Sequence, residues 1–249
     1  MLQPLPSPNK FSIFPDMAND VLGNALIDYF HGKRSKKLLL HTSYTDSEEM
    51  PVDVFFRGPD DFPELEDIAM ALCDGHVLDV GAGAGSHALH LQAQGATVTA
   101  LEHSRLACTL MRERGVRDVI HDDFFRHQGH KYDTLLFMMN GIGIAGSIEG
   151  LKKLLRHSQS LLNKGGQLLF DSSDIAYLYA DGTVDKPTGY YGEIRYQYGY
   201  KGIWGKPFNW LFIDQQTLIQ LAHAEGWVVQ ILYEDETDQY LARMTPLST

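Results

Sequence analysis

The chain has only two cysteines in 249 residues, Cys73 and Cys108. Two cannot build a disulfide framework, and both sit in helix-like apolar patterns, "IAMALCDG" and "SRLACTLM", so they read as buried free thiols. Bases are scarce as well: 21 Lys and Arg stand against 32 Asp and Glu, a formal charge of −11. That field repels phosphate backbones and argues against a nucleic-acid substrate. The one basic run, "HGKRSKKLLLH" with Lys33, Arg34, Lys36 and Lys37, reads as a solvated turn. No window approaches about 18 uninterrupted apolar residues, so no membrane partner is expected. The first residues, "MLQPLPSPNKFSIF", lack the charged start and apolar core of a signal peptide. A soluble, cytoplasmic protein is the expectation. Internal repeats are absent, and the 11 histidines are scattered without metal-ligand spacing.

What is present is ordinary for a globular enzyme: 44% apolar residues and a length that buries a sizeable core. Residues 1–15 are Pro-rich and expected to be extended. "DMANDVLGNALIDYFHG" carries a helical stripe of Val21, Leu22, Ala25, Leu26 and Phe30 that stops at Gly32. From Leu38 to Pro63 the pattern is irregular. Residues 1–63 therefore read as an N-terminal, largely helical extension or cap.

From residue 64 onward helices and strands alternate. "ELEDIAMALC" is a helix, "HVLDVG" a strand, "SHALHLQAQG" a helix closed by Gly95, and "TVTALEHS" a strand. "RLACTLMRERG" is a helix closed by Gly115, followed by the strands "VRDVIHDDF" and "YDTLLFMMN". "IEGLKKLLRHSQSLLNKGG" reads as a long amphipathic helix ending in a glycine pair, and "QLLFDSS" as the next strand. Such alternation specifies a parallel sheet covered on both faces. Then the pattern changes. "YYGEIRYQYGYKG" and "PFNWLFI" suggest an antiparallel ribbon, "DQQTLIQLAHAEG" a helix with Asp214 as candidate N-cap, and "WVVQILYED" with "DQYLARMTP" a closing hairpin. The expected fold is α/β: a seven-stranded doubly wound sheet, mostly parallel, with a C-terminal antiparallel hairpin, spanning residues 64–249 with an insertion at 175–210.

The densest signal is "VLDVGAGAGSHALHLQAQGATVTALEHS", Val77 to Ser104. Gly81, Gly83 and Gly85 follow the first strand of the alternating series, where open parallel sheets bind ligands. A dinucleotide fold spaces its glycines G-x-G-x-x-G to seat a pyrophosphate. Here the third glycine comes one residue early, and Asp79 stands two residues before the first. A carboxylate so placed suits a cation. Glu102 ends the second strand and can accept both hydroxyls of a ribose, although it could instead cap the next helix, a role Ser104 also fits. Asp122 and Asp123 end the third strand and compete to accept an adenine amine; an aromatic follows Asp123 and favours it. Together these acids describe a site for a cationic adenosine derivative, and S-adenosylmethionine fits.

On these motifs the chain resembles the class I S-adenosylmethionine-dependent methyltransferases. "LDVGAGAGSHALHLQAQG" is similar to their glycine-rich motif, "VTALEHS" to the strand bearing the ribose acid, and "VIHDDFF" to the adenine-contacting segment. "YDTLLFMMNGIGIAG" resembles the strand beneath the methionine part of the cofactor, and "LLNKGGQLLFDSS" the strand after it. The resemblance implies the Rossmann-like fold of that class and a cofactor site made by Asp79, Gly81, Ala82, Gly83, Gly85, Glu102, His103, Asp122, Asp123, Phe124, Met139 and Asn140. Asn140 could equally cap the turn that follows it. His87 and His103 read as packing or surface residues rather than bases.

The implied activity is methyl transfer, which needs alignment and dryness more than a catalytic triad, so no catalytic residue is assigned. The (D/N)PP(Y/F) signature of amino-methylating enzymes acting on nucleic acids is missing, because Gly141, Ile142 and Gly143 follow Asn140. With the acidic charge, that favours a small-molecule acceptor, handled by a single chain or a homo-oligomer. The acceptor pocket is expected among the N-terminal extension, the loop after Asn140 and the tyrosine-rich insertion. A protein or nucleic-acid methyltransferase, a cofactor-binding module without transferase activity and, more remotely, an NAD-dependent oxidoreductase are the rival readings.

Overall fold

The computed structural model describes residues 20–247, so the Pro-rich stretch over residues 1–15, expected to be extended, lies outside the described residues. Helix α1 (Val21–Phe30) starts at Asp20, whose side chain accepts the Gly23 N–H at 3.0 Å. Strands β1 (Leu38–Thr42) and β2 (Glu48–Met50) and short 3-10 turns at Asp53–Phe56 and Pro59–Asp61 follow. The N-terminal extension is therefore part strand, not mainly helix.

The alternating series comes next: α2 (Glu64–Leu72), β3 (His76–Val80), α3 (Ser86–Ala93), β4 (Thr97–Glu102), α4 (Arg105–Arg114), β5 (Val119–His121) and β6 (Tyr132–Phe137). Helix α5 (Ile148–Leu161) is capped by Ser147, which accepts the Gly150 N–H at 3.0 Å, and it buries Leu151, Leu154, Leu155 and Leu161. It ends before the glycine pair, because the chain is already extended from Leu162 in β7 (Leu162–Ser173). After the insertion, with β8 (Glu193–Tyr200), β9 (Ile203–Trp204) and β10 (Phe208–Leu211), come α6 (Gln215–Ala224), β11 (Trp227–Glu234) and β12 (Gln239–Pro246). Asp214 caps α6 by accepting the Thr217 N–H at 2.9 Å.

The seven-stranded sheet has the order β11–β12–β7–β6–β3–β4–β5. Strands β3 to β7 are parallel neighbours, and β12 and β11 close the sheet antiparallel. Strand order reverses at β3, which has β4 on one side and β6 on the other, and such a switch point is where open parallel sheets bind ligands at their carboxyl edge. Side chains alternate across β3. Val77 packs toward α2, α3 and α4 with Leu65, Ala69, Ala88, Cys108 and Met111, whereas Leu78 and Val80 pack toward α5 and α6 with Phe137, Leu154 and Leu218. Period two then puts Asp79 on the Val77 face, under α3.

The extension and the insertion are not separate additions. Strand β8 pairs antiparallel with both β1 and β10, giving a second sheet of order β10–β8–β1–β2 with β9 added on β8. Its register puts Thr42, Tyr196 and Phe208 in one row, and Leu40 beside Tyr198. This sheet lies over the carboxyl edge of the first, because Trp210 of β10 packs on the turn Gly141–Ala145 that follows β6.

Candidate functional site

The three glycines share a left-handed backbone, with φ of 71° at Gly81, 57° at Gly83 and 84° at Gly85. Their demands differ. A Cβ at Gly81 would meet nothing within 4 Å, so open space lies over the first turn of the loop. At Gly83 it would reach the Phe55 ring at 3.5 Å, and at Gly85 it would press on Met111 and Val116 at 2.9 Å. Gly85 is thus needed for packing against α4. The Gly81 and Ala82 N–H groups both donate to the Leu101 carbonyl, at 2.9 and 3.3 Å, which ties the loop to β4.

Glu102 receives the Gly83 N–H on one carboxylate oxygen at 2.9 Å and the Ser104 N–H on the other at 2.7 Å. It does not cap α4. Ser104 does, accepting the Ala107 N–H at 3.0 Å. Burial raises the Glu102 carboxyl, and the two backbone donors oppose that rise. Each oxygen keeps a lone pair for a further donor. His103 beside it is exposed, and its carbonyl lies 3.0 Å from His121 Nε2.

Asp122 and Asp123 both sit half-buried at the end of β5. One Asp122 oxygen accepts the Asp123 N–H at 2.8 Å, and one Asp123 oxygen accepts the Phe125 N–H at 2.8 Å. The turn they build buries Phe124 edge-on against Phe137, with ring centroids 5.1 Å apart.

Met139 and Asn140 are consecutive non-glycine residues with φ of 60° and 54°. Such backbone costs about 1–3 kcal/mol per residue and collects at functional sites. It is held by Asp171 at the end of β7, which accepts the Asn140 N–H on both oxygens at 2.9 and 2.8 Å. The Asn140 amide nitrogen donates to the Leu211 carbonyl of β10 at 3.3 Å, so this side chain ties the central sheet to the roof rather than capping the turn. Its Oδ1 is buried without a partner, and so is Asp79 Oδ2. A buried orphan acceptor asks for a donor. Two of them, with open space over Gly81, form an edge that fits a ligand carrying cationic and hydroxyl donors.

Residues 60–230 match the model of a methyltransferase domain family. The chain belongs to that family. Comparison with solved structures agrees. The enzyme is 39% identical to a SAM-dependent methyltransferase from Bacteroides fragilis, solved in complex with S-adenosyl-L-homocysteine; the match covers 95% of this chain and 98% of that one, with a TM-score of 0.86. The CcbJ methyltransferase from Streptomyces caelestis shares the fold at 14% identity and TM-score 0.59, over 76% of this chain and 94% of that one. DesVI from Streptomyces venezuelae shares it at 19% identity and TM-score 0.56, over 78% and 96% of the two chains. No curated protein sequence matches. This chain is an S-adenosylmethionine-dependent methyltransferase with the class I, Rossmann-like fold.

Two features of this methyltransferase escape local sequence reading. Asp171, only 1% exposed, is pushed by burial to about 6. Its signal was the same as that of Asp79, an acid closing an apolar run, but "FDSS" looked like a plain strand end. The second is a buried ionic group under the glycine loop. Asp79 is 2% exposed and burial raises it to about 6, opposed by His87 and the Ala88 N–H. His87 Nε2 lies 2.8 Å from Glu66 Oε2, and the other Glu66 oxygen pairs with Arg57. Glu66 and His87 both read as ordinary helix positions in sequence.

The roof over the edge is aromatic. Tyr196 stacks on Trp210 with planes within 7° and centroids 6.2 Å apart, and Trp210 lies so close to Gly143 that a Cβ there would overlap the indole. Burial pushes the Tyr198 hydroxyl up to about 12, with the facing Glu102 adding to the shift. Phe55 seals the opposite side, its carbonyl accepting the Ser86 hydroxyl at 2.8 Å. Among the described residues, no group of three His, Cys, Asp or Glu side chains could hold a metal ion, and no helix is long and apolar enough to cross a membrane.

Proposed function

We propose that this methyltransferase alkylates a small molecule held between the carboxyl edge of the central sheet and the aromatic underside of the second sheet. The observation that carries this reading is the roof itself. Extension and insertion pair through β1 and β8 into one sheet whose Tyr196, Tyr198, Phe208 and Trp210 share a face, with Trp210 packed on the turn after Asn140. An aromatic face over the sheet edge suits a compact acceptor, and the formal charge of −11 disfavours a polyanion.

In this reading Glu102 accepts the ribose hydroxyls, the Asp122–Phe124 turn holds the adenine, and Asp79 faces the cationic methionine end across the open space at Gly81. Ala82 and Gly83 supply the loop backbone, His103 flanks the ribose, and Met139 and Asn140 line the methionine side. The chemistry that S-adenosylmethionine supplies when bound is an activated methyl group on a sulfonium. The protein's work is then to align an acceptor and exclude water. Phe55 and Trp210 wall the site from opposite sides. The neutral phenols of Tyr196 and Tyr198, held above their ordinary range by burial, serve as walls and hydrogen-bond donors. Residues 64–249 form the catalytic domain in this account and 1–63 its N-terminal extension, with strands β1 and β2 of that extension and the insertion 175–210 making the roof. A cytoplasmic location belongs to the same reading and is supported by two free thiols.

Incubation with methyl-labelled S-adenosylmethionine and host extract tests this reading. Label is expected in the small-molecule filtrate. Label confined to precipitated protein or nucleic acid would replace the small-molecule acceptor with a macromolecular one.

A further inference from the structure

Under the glycine loop lies a group of buried, paired charges. Glu66 on α2 and His87 in the first turn of α3 are 5% and 6% exposed, and their side chains meet at 2.8 Å. Burying such a pair is costly unless every partner is in place. Arg57 takes the second Glu66 oxygen and the Phe62 ring covers the imidazole with centroids 5.3 Å apart, while Arg57 Nε is left without a partner. Arg57 follows directly on the turn that brings Phe55 over Gly83, so the cap segment is anchored to the same carboxylate.

The charged groups facing His87 come from three elements: Glu66 from α2, Asp79 from β3 and Asp171 from β7. Burial disfavours a charged ring, but the Glu66 hydrogen bond and these three carboxylates outweigh it, and the imidazole is raised above its ordinary value. Asp79 itself faces His87, the Ala88 N–H and the Cys73 thiol, which burial pushes up to about 12 and so keeps neutral. One Asp79 oxygen has no partner at all. Among the described residues, His87 is therefore the basic group set against the carboxylate at the loop's base.

We propose that His87 is a positioning residue for the cofactor: clamped by Glu66 as an imidazolium, it keeps the buried Asp79 carboxylate ionised and aimed at the cofactor's cationic end. It acts through Asp79 and touches neither cofactor nor acceptor. The proposal rests on the reading of Asp79 as a cofactor contact, and the experiment separates the two.

S-adenosylmethionine affinity is measured by calorimetry from about pH 5 to about pH 8.5 for the parent protein and for His87→Gln, His87→Lys and Asp79→Asn. Parent affinity should fall as pH drops through about 6, where Asp79 takes up its proton. In His87→Gln that midpoint should move up by about one unit. At about pH 6 the ionised fraction then drops from one half to roughly one tenth, an affinity loss of about fivefold, while above about pH 8 the loss should stay under about twofold. His87→Lys, which keeps a cation, should return the midpoint toward the parent. A merely structural role would weaken binding equally at every pH, and coincident midpoints in the parent and His87→Gln would overturn the proposal. If His87→Gln does not fold, imidazole nitrogen shifts of the cofactor-free parent decide instead: a ring already neutral at about pH 7 overturns it. Asp79→Asn should bind at least about tenfold more weakly at neutral pH. Unchanged affinity there would remove Asp79 from the cofactor site and the proposal with it.

Discussion

The carboxylate of Asp20 lies 2.8 Å from the Ser104 hydroxyl on both of its oxygens, so one acid secures the start of two helices 84 residues apart. It accepts the Gly23 N–H at the start of α1 and the Leu106 N–H at 3.2 Å at the start of α4. Ser104 follows Glu102 by two residues, so the extension is pinned beside the carboxylate assigned to the ribose. Asp20→Ala should therefore cost about 2–5 kcal/mol, the sum of a lost cap at about 0.5–2 and a lost charged hydrogen bond at about 1.5–3. Urea denaturation checks this, and a loss below about 0.3 kcal/mol would mean that solvent replaces the contact.

Glu102→Ala should weaken S-adenosylmethionine binding at least tenfold, because two hydroxyl acceptors disappear at about 1.5–3 kcal/mol per charged bond, less what water restores. It should also destabilise the cofactor-free protein, since the Gly83 and Ser104 N–H groups lose their acceptor. Glu102→Gln keeps one acceptor oxygen, for either the Gly83 or the Ser104 N–H, and should recover part of the stability but little of the affinity. Calorimetry beside thermal melting of both variants separates the two effects; affinity that recovers in step with stability in Glu102→Gln would mean that Glu102 acts only by holding the loop.

Asp79 and Asp171 are each held near 6 in the folded chain, against an ordinary 3.8. Between those values the folded state binds more protons than the unfolded one, so their contribution to stability falls as pH rises from about 4 to about 6. Asp79→Asn mimics the protonated carboxyl and should melt above the parent at about pH 8 and level with it near pH 4. At this chain length each kcal/mol regained moves the midpoint by about 2–4 °C. Melting curves with the same offset at both pH values would contradict burial as the cause.

Trp210 touches the Asn140–Ala145 region from above and stacks on Tyr196. Trp210→Ala should leave cofactor affinity within about threefold and lower kcat/KM at least about tenfold, because it opens the acceptor side to water and loosens alignment. Unchanged turnover on an identified acceptor would move the chamber away from β10. Deleting the whole insertion is a blunter test than the sequence suggests, since residues 175–210 carry β8, β9 and most of β10, and their loss would leave β1 with β2 as its one neighbour.

Much of the central fold was written locally. The stripes of α3, α4 and α5, the apolar runs of β3, β4 and β6, and the glycines at 81, 83 and 85 each declare an element or a turn within a dozen residues. Alternation of those elements then leaves a parallel sheet as the arrangement that buries every apolar face. The acids Asp79 and Glu102 were legible for the same reason, since each closes an apolar strand at the same edge.

Periodicity says which face a residue occupies but not what comes to meet that face. Thr42 pairs with Tyr196 across the chain because β8 leaves one edge open after the sheet forms and "LLLHT" happens to reach it. His87 carries no local mark of its partner. Only the packing of α2 against α3 brings Glu66 to it, and only the alternation of β3 turns Asp79 toward the α3 face. Sequence alone determined the central elements, the glycine turn and the carboxylates that end its strands, because these depend on short-range sterics and hydrophobic period. Tertiary structure decided the roof, the tie from Asn140 to Leu211 and the charge set under the loop, because edge pairing and buried ion pairs depend on which distant surfaces are left uncovered once the core has closed.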